Sequence, residues 1–223
     1  MYILYGGYMT RSALVEQVMA ECGVEYEVRR IDTARKEQLS PEFLEINPAG
    51  WVPALVTPEG KTLYETPAIN LYLAEQHGTP RLAPAFDDPD RGLFLSGLFY
   101  IAGMVEPALK RYWFPDRYAD GENDAEAVRL KGYEDAVGYF AVIENRLRDC
   151  GPFHLGERFS LVDLMTAYWS ESFTDPGAIS NLAAVLKCHE LVYDRPKLRS
   201  HKYTQRKFIN ELYQLREKGE GVR

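Results

Sequence analysis

The chain has 223 residues, 46% apolar and 26% charged, with a net charge of -7, so it can bury a sizeable core and has the balance of a soluble globular protein. An acidic chain without a basic stripe argues against a nucleic-acid partner, and the cationic stretch from Arg195 to Lys207 is expected to be a solvated helix face. The four histidines show no paired ligand spacing, so no metal is expected, and three cysteines without framework spacing indicate reduced thiols in a cytoplasm-like compartment.

The opening Met1-Tyr2-Ile3-Leu4-Tyr5 lacks the basic lead of a signal peptide and is expected to be the first strand, ended by Gly6-Gly7. No apolar run approaches the roughly 18 residues a membrane span needs. The longest, Leu98 to Leu109, is interrupted by Glu106 and Pro107. After Gly6-Gly7, Thr10-Arg11-Ser12 offers capping residues for a helix whose apolar positions are Leu14, Val15, Val18, Met19 and Cys22, closed by Gly23. Tyr26 to Ile31 largely alternates, as a half-buried strand does, and Pro41 to Ile46 predicts a short helix.

The most informative stretch runs from Asn47 to Ile69. It contains Asn47-Pro48-Ala49-Gly50-Trp51-Val52-Pro53-Ala54-Leu55-Val56, a tight turn at Pro58-Glu59-Gly60-Lys61, and then Leu63-Tyr64-Glu65-Thr66-Pro67-Ala68-Ile69. Pro53 opens a short apolar strand, where its missing amide hydrogen does no harm, and Val52-Pro53 is the candidate cis bond. Thr66-Pro67 predicts a helix with Thr66 as N-cap and proline at the first helical position.

Gly78-Thr79-Pro80 ends this unit, and the stretch up to Pro89 is expected to be a linker. Beyond it only helices are predicted, over roughly Arg91 to Trp113 with a kink at Pro107, Asp124 to Cys150, Leu161 to Glu171, Ser180 to Tyr193 and Tyr203 to Lys218. Gly151 and Gly219 stand where helix-ending residues belong. Ser160-Leu161-Val162-Asp163 can form a reciprocal cap at the head of a helix that is apolar on nearly every side.

The 47–69 segment resembles the glutathione-binding half of the glutathione transferase family, whose signature is Asn-Pro-x-Gly-x-Val-Pro-x-Leu followed by an acidic residue, a serine or threonine, and x-Ala-Ile. Ser160-x-x-Asp163 resembles the family's folding box. The resemblance spans nearly the whole chain and is vague after Arg199. It implies an α/β thioredoxin-like N-terminal domain over residues 1–78, a linker over 79–89 and an all-α C-terminal domain over 90–223. It also implies a cytoplasmic homodimer that uses glutathione as co-substrate.

Residue by residue, the resemblance places backbone pairing with the cysteinyl unit of glutathione on Val52, beside Pro53. Thr66 falls on the position that holds the γ-glutamyl carboxylate, and Glu65 on the contact to the ligand's amino group. Where the family often carries a basic residue, this chain has Trp51, so the charge must come from elsewhere, with Arg11, Arg35 and Lys36 as candidates.

The chemistry needs a thiolate, and lowering a thiol pKa from about 8.5 by about two units takes roughly 2.7 kcal/mol. A hydroxyl at the mouth of the first helix, aided by that helix's N-terminus, can supply this. Tyr5, Tyr8, Thr10 and Ser12 are available. The Ser-type pattern of the family falls on Thr10, followed by Arg11, and the Tyr-type pattern on Tyr5. Thr10 is preferred, with Tyr5 kept open; Ser12 is expected to lie too deep in the helix, and Tyr8 matches neither pattern. No cysteine stands in this loop, which disfavours disulfide exchange through a protein thiol. Among Phe99, Tyr100, Met104, Tyr112 and Trp113, the pair Tyr112 and Trp113 is the candidate pocket for an apolar or aromatic electrophile. A scaffold without turnover and a glutathione-dependent lyase or isomerase are the alternative functions.

Overall fold

Alternation along the first strand decides how the N-terminal unit is assembled. In β1 (Tyr2–Gly6), Tyr2, Leu4 and Gly6 are buried while Ile3 and Tyr5 are half-buried. β1 pairs in parallel with β2 (Tyr26–Arg30) and antiparallel with β3 (Ala54–Val56), which pairs antiparallel with β4 (Thr62–Tyr64). The resulting four-stranded sheet has the order β2-β1-β3-β4. Leu4 lies opposite Leu55, and both point into the main core with Leu14, Val15 and Ile69. Tyr5 lies opposite Ala54, and these two point to the other face, where Phe43, Val52 and Ile46 gather. Because side chains alternate with period two, β1 and β3 each serve both layers.

The structure is a computed structural model that describes residues 1–7, 10–78, 80–173 and 176–217. α1 (Ser12–Cys22) and α3 (Thr66–His77) pack on the Leu4 face, and α2 (Pro41–Ile46) lies on the other. Gly23 ends α1 in the left-handed region at φ 73°, where its amide bonds the carbonyls of Met19 and Ala20. Ser40 caps α2 by accepting from the Phe43 amide at 3.2 Å. The Val52-Pro53 peptide is cis. The element order is the thioredoxin-like one expected from the sequence.

The second unit is helical: α4 (Arg91–Tyr100), α5 (Glu106–Trp113), α6 (Glu122–Cys150), α7 (Leu161–Ser170), α8 (Ala183–Tyr193) and α9 (Thr204–Glu217). Between α4 and α5 the chain stays helical but widens into a π turn over Ile101–Val105. Pro107 explains it: proline offers no amide to a carbonyl one turn back and its ring crowds that carbonyl, so the helix swells instead of continuing regularly. By length and mean hydropathy alone, 23 residues at 1.5, Arg91–Trp113 could cross a membrane. This departs from the expectation that no run comes close. Phe94, Leu98, Ile101, Val105 and Leu109 are buried in the core, so in this fold the run is a core helix.

α7 is the centre of the second unit, with all its residues buried. At its head the expected reciprocal cap is formed: the Asp163 amide donates to the Ser160 side chain, and the Ser160 amide donates back to Asp163 Oδ2 at 2.8 Å, an oxygen the Ser160 hydroxyl also reaches at 2.9 Å. The His154 amide donates to Oδ1 at 2.6 Å, so the box also holds the preceding loop. Burial pushes the Asp163 carboxyl up to about 7, against the pull of these donors. A carboxyl with a raised folded-state pKa holds its proton more tightly when folded. Its contribution to stability is therefore full below about pH 4, the unfolded value, and is lost as the pH rises through about 7. Asp163→Asn, which does not titrate, should flatten the stability profile between those limits. Urea melts of both proteins across that range check this, and parallel profiles would contradict it.

The two units are tied together along α1 and the segment between them. The Tyr193 hydroxyl donates to Gln17 Oε1 at 3.1 Å, Lys197 Nζ donates to the Glu21 carbonyl at 3.1 Å, and Arg195 pairs with the Glu21 carboxylate. Leu82 and Ala83, within the expected linker, are buried, and the Leu161 amide bonds the Leu82 carbonyl at 2.8 Å. That segment is thus clamped to the head of α7. Thr79 and Gly219 lie outside the described residues.

Candidate functional site

Strand register brings three chain segments to one end of the sheet. Ala54 pairs with both Tyr5 and Tyr64, so the chain leaving β1, the chain entering β3 and the chain leaving β4 meet at the same edge. The described parts of these segments are Gly6 and Gly7 with Thr10 to Ser12, Trp51 to Pro53, and Glu65 to Thr66. The N-termini of α1 and α3 open there as well, and helix N-termini favour anions.

The Thr66 side is a half-built polar site. Thr66 is 1% exposed, and its hydroxyl has no hydrogen-bond partner among the described residues. One turn further along α3, both amide atoms of the fully buried Asn70 share that condition. A buried hydroxyl left unpaired costs about 1–3 kcal/mol, which a ligand acceptor would recover. Glu65, not Thr66, is the cap residue, and Thr66 is the first helical residue, so the helix starts one residue earlier than the sequence indicated. Glu65 stands at φ 68°, ψ 113°, a backbone that a residue with a side chain adopts only under strain. It leaves the Glu65 side chain exposed at the rim. Val52 is buried at 8% exposure, and its backbone amide and carbonyl have no backbone partner among the described residues. An extended peptide could pair there.

At the mouth of α1 the hydroxyls sort themselves. The Tyr5 hydroxyl accepts from Arg29 at 3.0 Å, and its ring packs edge-on against Phe43, on the α2 face of the sheet. Thr10 is different. Its hydroxyl accepts from the Gly7 amide at 3.2 Å and donates to the Gly7 carbonyl at 2.9 Å. It also lies 2.9 Å from the Ser12 hydroxyl, which can itself donate to the Gly7 carbonyl at 3.3 Å. Thr10 has one proton to give. Ser12 can satisfy the Gly7 carbonyl in its place, which frees the Thr10 proton for a ligand. Ser12, expected from the sequence to lie too deep in the helix, is the first residue of α1 and is 3% exposed. Its signal was the Gly6-Gly7 pair: a Cβ at Gly6 would collide with Ser12 Cβ, so glycine is what admits the serine. Tyr8 lies outside the described residues.

Arg11 turns toward the helical unit. Its guanidinium pairs with Glu106, a carboxylate at 3% exposure in the apolar α4–α5 run, which Lys110 also reaches at 3.0 Å. A buried carboxylate of this kind requires cations. Arg11 therefore fixes the loop against α5. Arg35 and Lys36 lie on the exposed side of the 32–40 segment.

Tyr112 and Trp113 are buried at 6% and 5% exposure, in the core of the helical unit. Tyr112 packs against Tyr133 and Trp113, and Trp113 Nε1 donates to the Ser172 carbonyl at 3.1 Å. The structure thus places both in the packing between helices, and not as an open aromatic wall. The amphipathic pattern of α5 carries them inward, while Phe114, just past its end, and Trp51 keep exposed aromatic surface. Arg117, which carries no motif in the sequence, spans these two. Its guanidinium carbon lies 4.4 Å from the Phe114 ring centroid and 5.7 Å from that of Trp51. No group able to hold a metal ion occurs among the described residues.

Comparison with known proteins places these features in context. Residues 1–75 match the family model for the glutathione S-transferase N-terminal domain. Over 155 residues the chain is 35% identical to glutathione S-transferase D7 of Drosophila melanogaster, covering 69% of this chain and 66% of the fly protein. It is 29% identical over 186 residues to the disulfide-bond oxidoreductase YfcG of Escherichia coli (strain K12), covering 80% and 83% of the two chains. Among solved structures, a glutathione transferase homologue from Sulfitobacter with bound glutathione shares the fold at a TM-score of 0.76. Its identity is 27%, over 92% of this chain and 98% of that one.

Proposed function

Because the chain belongs to the glutathione S-transferase family, we propose that it binds glutathione at the sheet edge and transfers its thiolate to a small apolar or aromatic electrophile. The observation that carries this reading is the unpartnered, buried Thr66 hydroxyl at the N-terminus of α3, next to the unpaired backbone of Val52. The γ-glutamyl carboxylate accepts from Thr66, Glu65 receives the amino group, and the cysteinyl unit pairs with Val52 beside Pro53. That places the sulfur at the mouth of α1. Thr10 donates to the thiolate there while Ser12 takes over the Gly7 carbonyl. Arg11 holds the loop in place through Glu106.

Tyr5 takes no part in this scheme, because Arg29 and Phe43 occupy its hydroxyl and ring on the other face. Tyr5→Phe should leave turnover of an aryl halide within about threefold; a collapse of activity would move the catalytic role from Thr10 to Tyr5. The proposal extends to a cytoplasmic assembly of two copies. Its support is the apolar surface of Phe99 and Met104, 60% and 40% exposed on the α4–α5 run.

A second reading, glutathione-dependent disulfide reduction, is favoured by the relative named as a disulfide-bond oxidoreductase. This chain has no cysteine in the described part of the α1 loop, and burial raises the Cys22 thiol to about 11 and the Cys188 thiol well above its ordinary value. Glutathione itself would then have to supply both thiols. Assaying aryl-halide conjugation beside reduction of a hydroxyethyl disulfide separates the two. Conjugation alone supports the first reading, and reduction alone the second.

A further inference from the structure

We propose that Arg117 is a carboxylate-binding residue at the mouth of the cleft, supplied by the helical unit to the edge formed by Trp51 and Val52. The inference rests on the glutathione reading above and deepens it. The carboxylate is either the terminal one of the tripeptide or an acid group on the second substrate.

Position comes first. The turn after α5, over Pro115–Arg117, carries the guanidinium between Phe114 and Trp51. Trp51 immediately precedes Val52 and is 53% exposed. The residue therefore crosses from one unit to the ligand-pairing edge of the other.

The chemistry of that placement is selective. A guanidinium stacked on aromatic rings uses its flat face and leaves its N–H edge outward, and this planar fork matches the two oxygens of a carboxylate. Four partly buried arginines already spend that fork on an acid, Arg91 on Glu75, Arg158 on Asp88, Arg195 on Glu21 and Arg111 on Asp135, whereas Arg117 is exposed to solvent. The Arg117 side chain has no acid partner among the described residues. Its charge is also opposed. Partial loss of solvent and the nearby Arg11 hold its pKa below the ordinary arginine value. Arg11 is committed to Glu106, so an incoming anion would find Arg117 as the free cation of the pair.

The test uses Arg117→Gln and Arg117→Lys in the full chain, with unchanged thermal midpoints as the folding control. Calorimetry measures affinity for glutathione and for its glycyl monoethyl ester, and kinetics compares 4-chloro-3-nitrobenzoate with its methyl ester. If the tripeptide carboxylate is the ligand, Arg117→Gln weakens glutathione by about tenfold or more and leaves the ester unchanged. If the second substrate carries the acid, glutathione affinity holds while kcat/KM for the benzoate falls about tenfold relative to its ester. Arg117→Lys should fall between, since it keeps charge without the fork. Equal effects on acid and ester, or no effect on either, would overturn the assignment. Wild-type protein that fails to bind glutathione at all would sink the functional reading itself and Arg117's role with it.

Discussion

Replacing Thr66 by valine should weaken glutathione binding by about 10- to 100-fold while leaving the unliganded protein as stable as before, or more so. The two effects have one cause. In the unliganded protein the Thr66 hydroxyl is buried without a partner among the described residues, so removing it takes away a desolvated polar group and forfeits no internal hydrogen bond. In the complex the same hydroxyl donates to a carboxylate, and a hydrogen bond to a charged group contributes roughly 1.5–3 kcal/mol. A residue serving only to start the helix would behave otherwise, but Thr66 makes no side-chain cap bond, and the cap position belongs to Glu65. Titration calorimetry with glutathione and a thermal melt of each protein measure both halves. Unchanged affinity, or a clear loss of stability, would show that the hydroxyl serves the fold and not the ligand.

Thr10→Ala should lower turnover by about tenfold or more and leave glutathione affinity within a few-fold. The bound thiol should then titrate closer to its free value of about 8.5, which a thiolate absorbance titration would detect. The reason lies in the local network. Thr10 Oγ1 accepts the Gly7 and Ser12 amides at 3.2 and 3.4 Å, which orients it, and shares one proton between Gly7 and a ligand. Ser12→Ala removes the group that would release that proton and should give a smaller loss of the same kind. If Thr10→Ala keeps its activity and Tyr5→Phe loses it, thiol activation belongs to the other side of the sheet.

Much of the fold was legible because local rules and tertiary packing agree. The helix start at Pro41, Gly23 and the Ser160/Asp163 box are short-range signals, and each ends or starts a helix as its chemistry dictates. The apolar runs around Leu4 and Leu55 mark strands with a buried face, and the two residues meet opposite one another in the core. What the sequence could not show is which partner a side chain meets across the fold. Arg11 reads as a ligand cation until Glu106, nearly a hundred positions away, is seen to take it. Tyr112 and Trp113 read as pocket walls because they belong to the aromatic set carried by the helix after the linker, yet the rotation of α5 turns them onto Tyr133 and Ser172. Arg117 carried no sequence signal, since stacking on Trp51 depends on how the two units meet. The one-residue shift of the α3 cap arises because Glu65 adopts a positive φ that sequence preference would never assign to it.

The central claim is that this chain reads a γ-glutamyl peptide with Thr66 and the backbone of Val52. A crystal structure of the protein with glutathione tests it most directly. The account predicts the γ-glutamyl carboxylate within about 2.5–3.2 Å of Thr66 Oγ1 and antiparallel pairing of the cysteinyl unit with Val52. The sulfur should lie toward Thr10, away from Tyr5. Glutathione bound with its γ-glutamyl carboxylate elsewhere, or an empty sheet edge at saturating ligand, would contradict it.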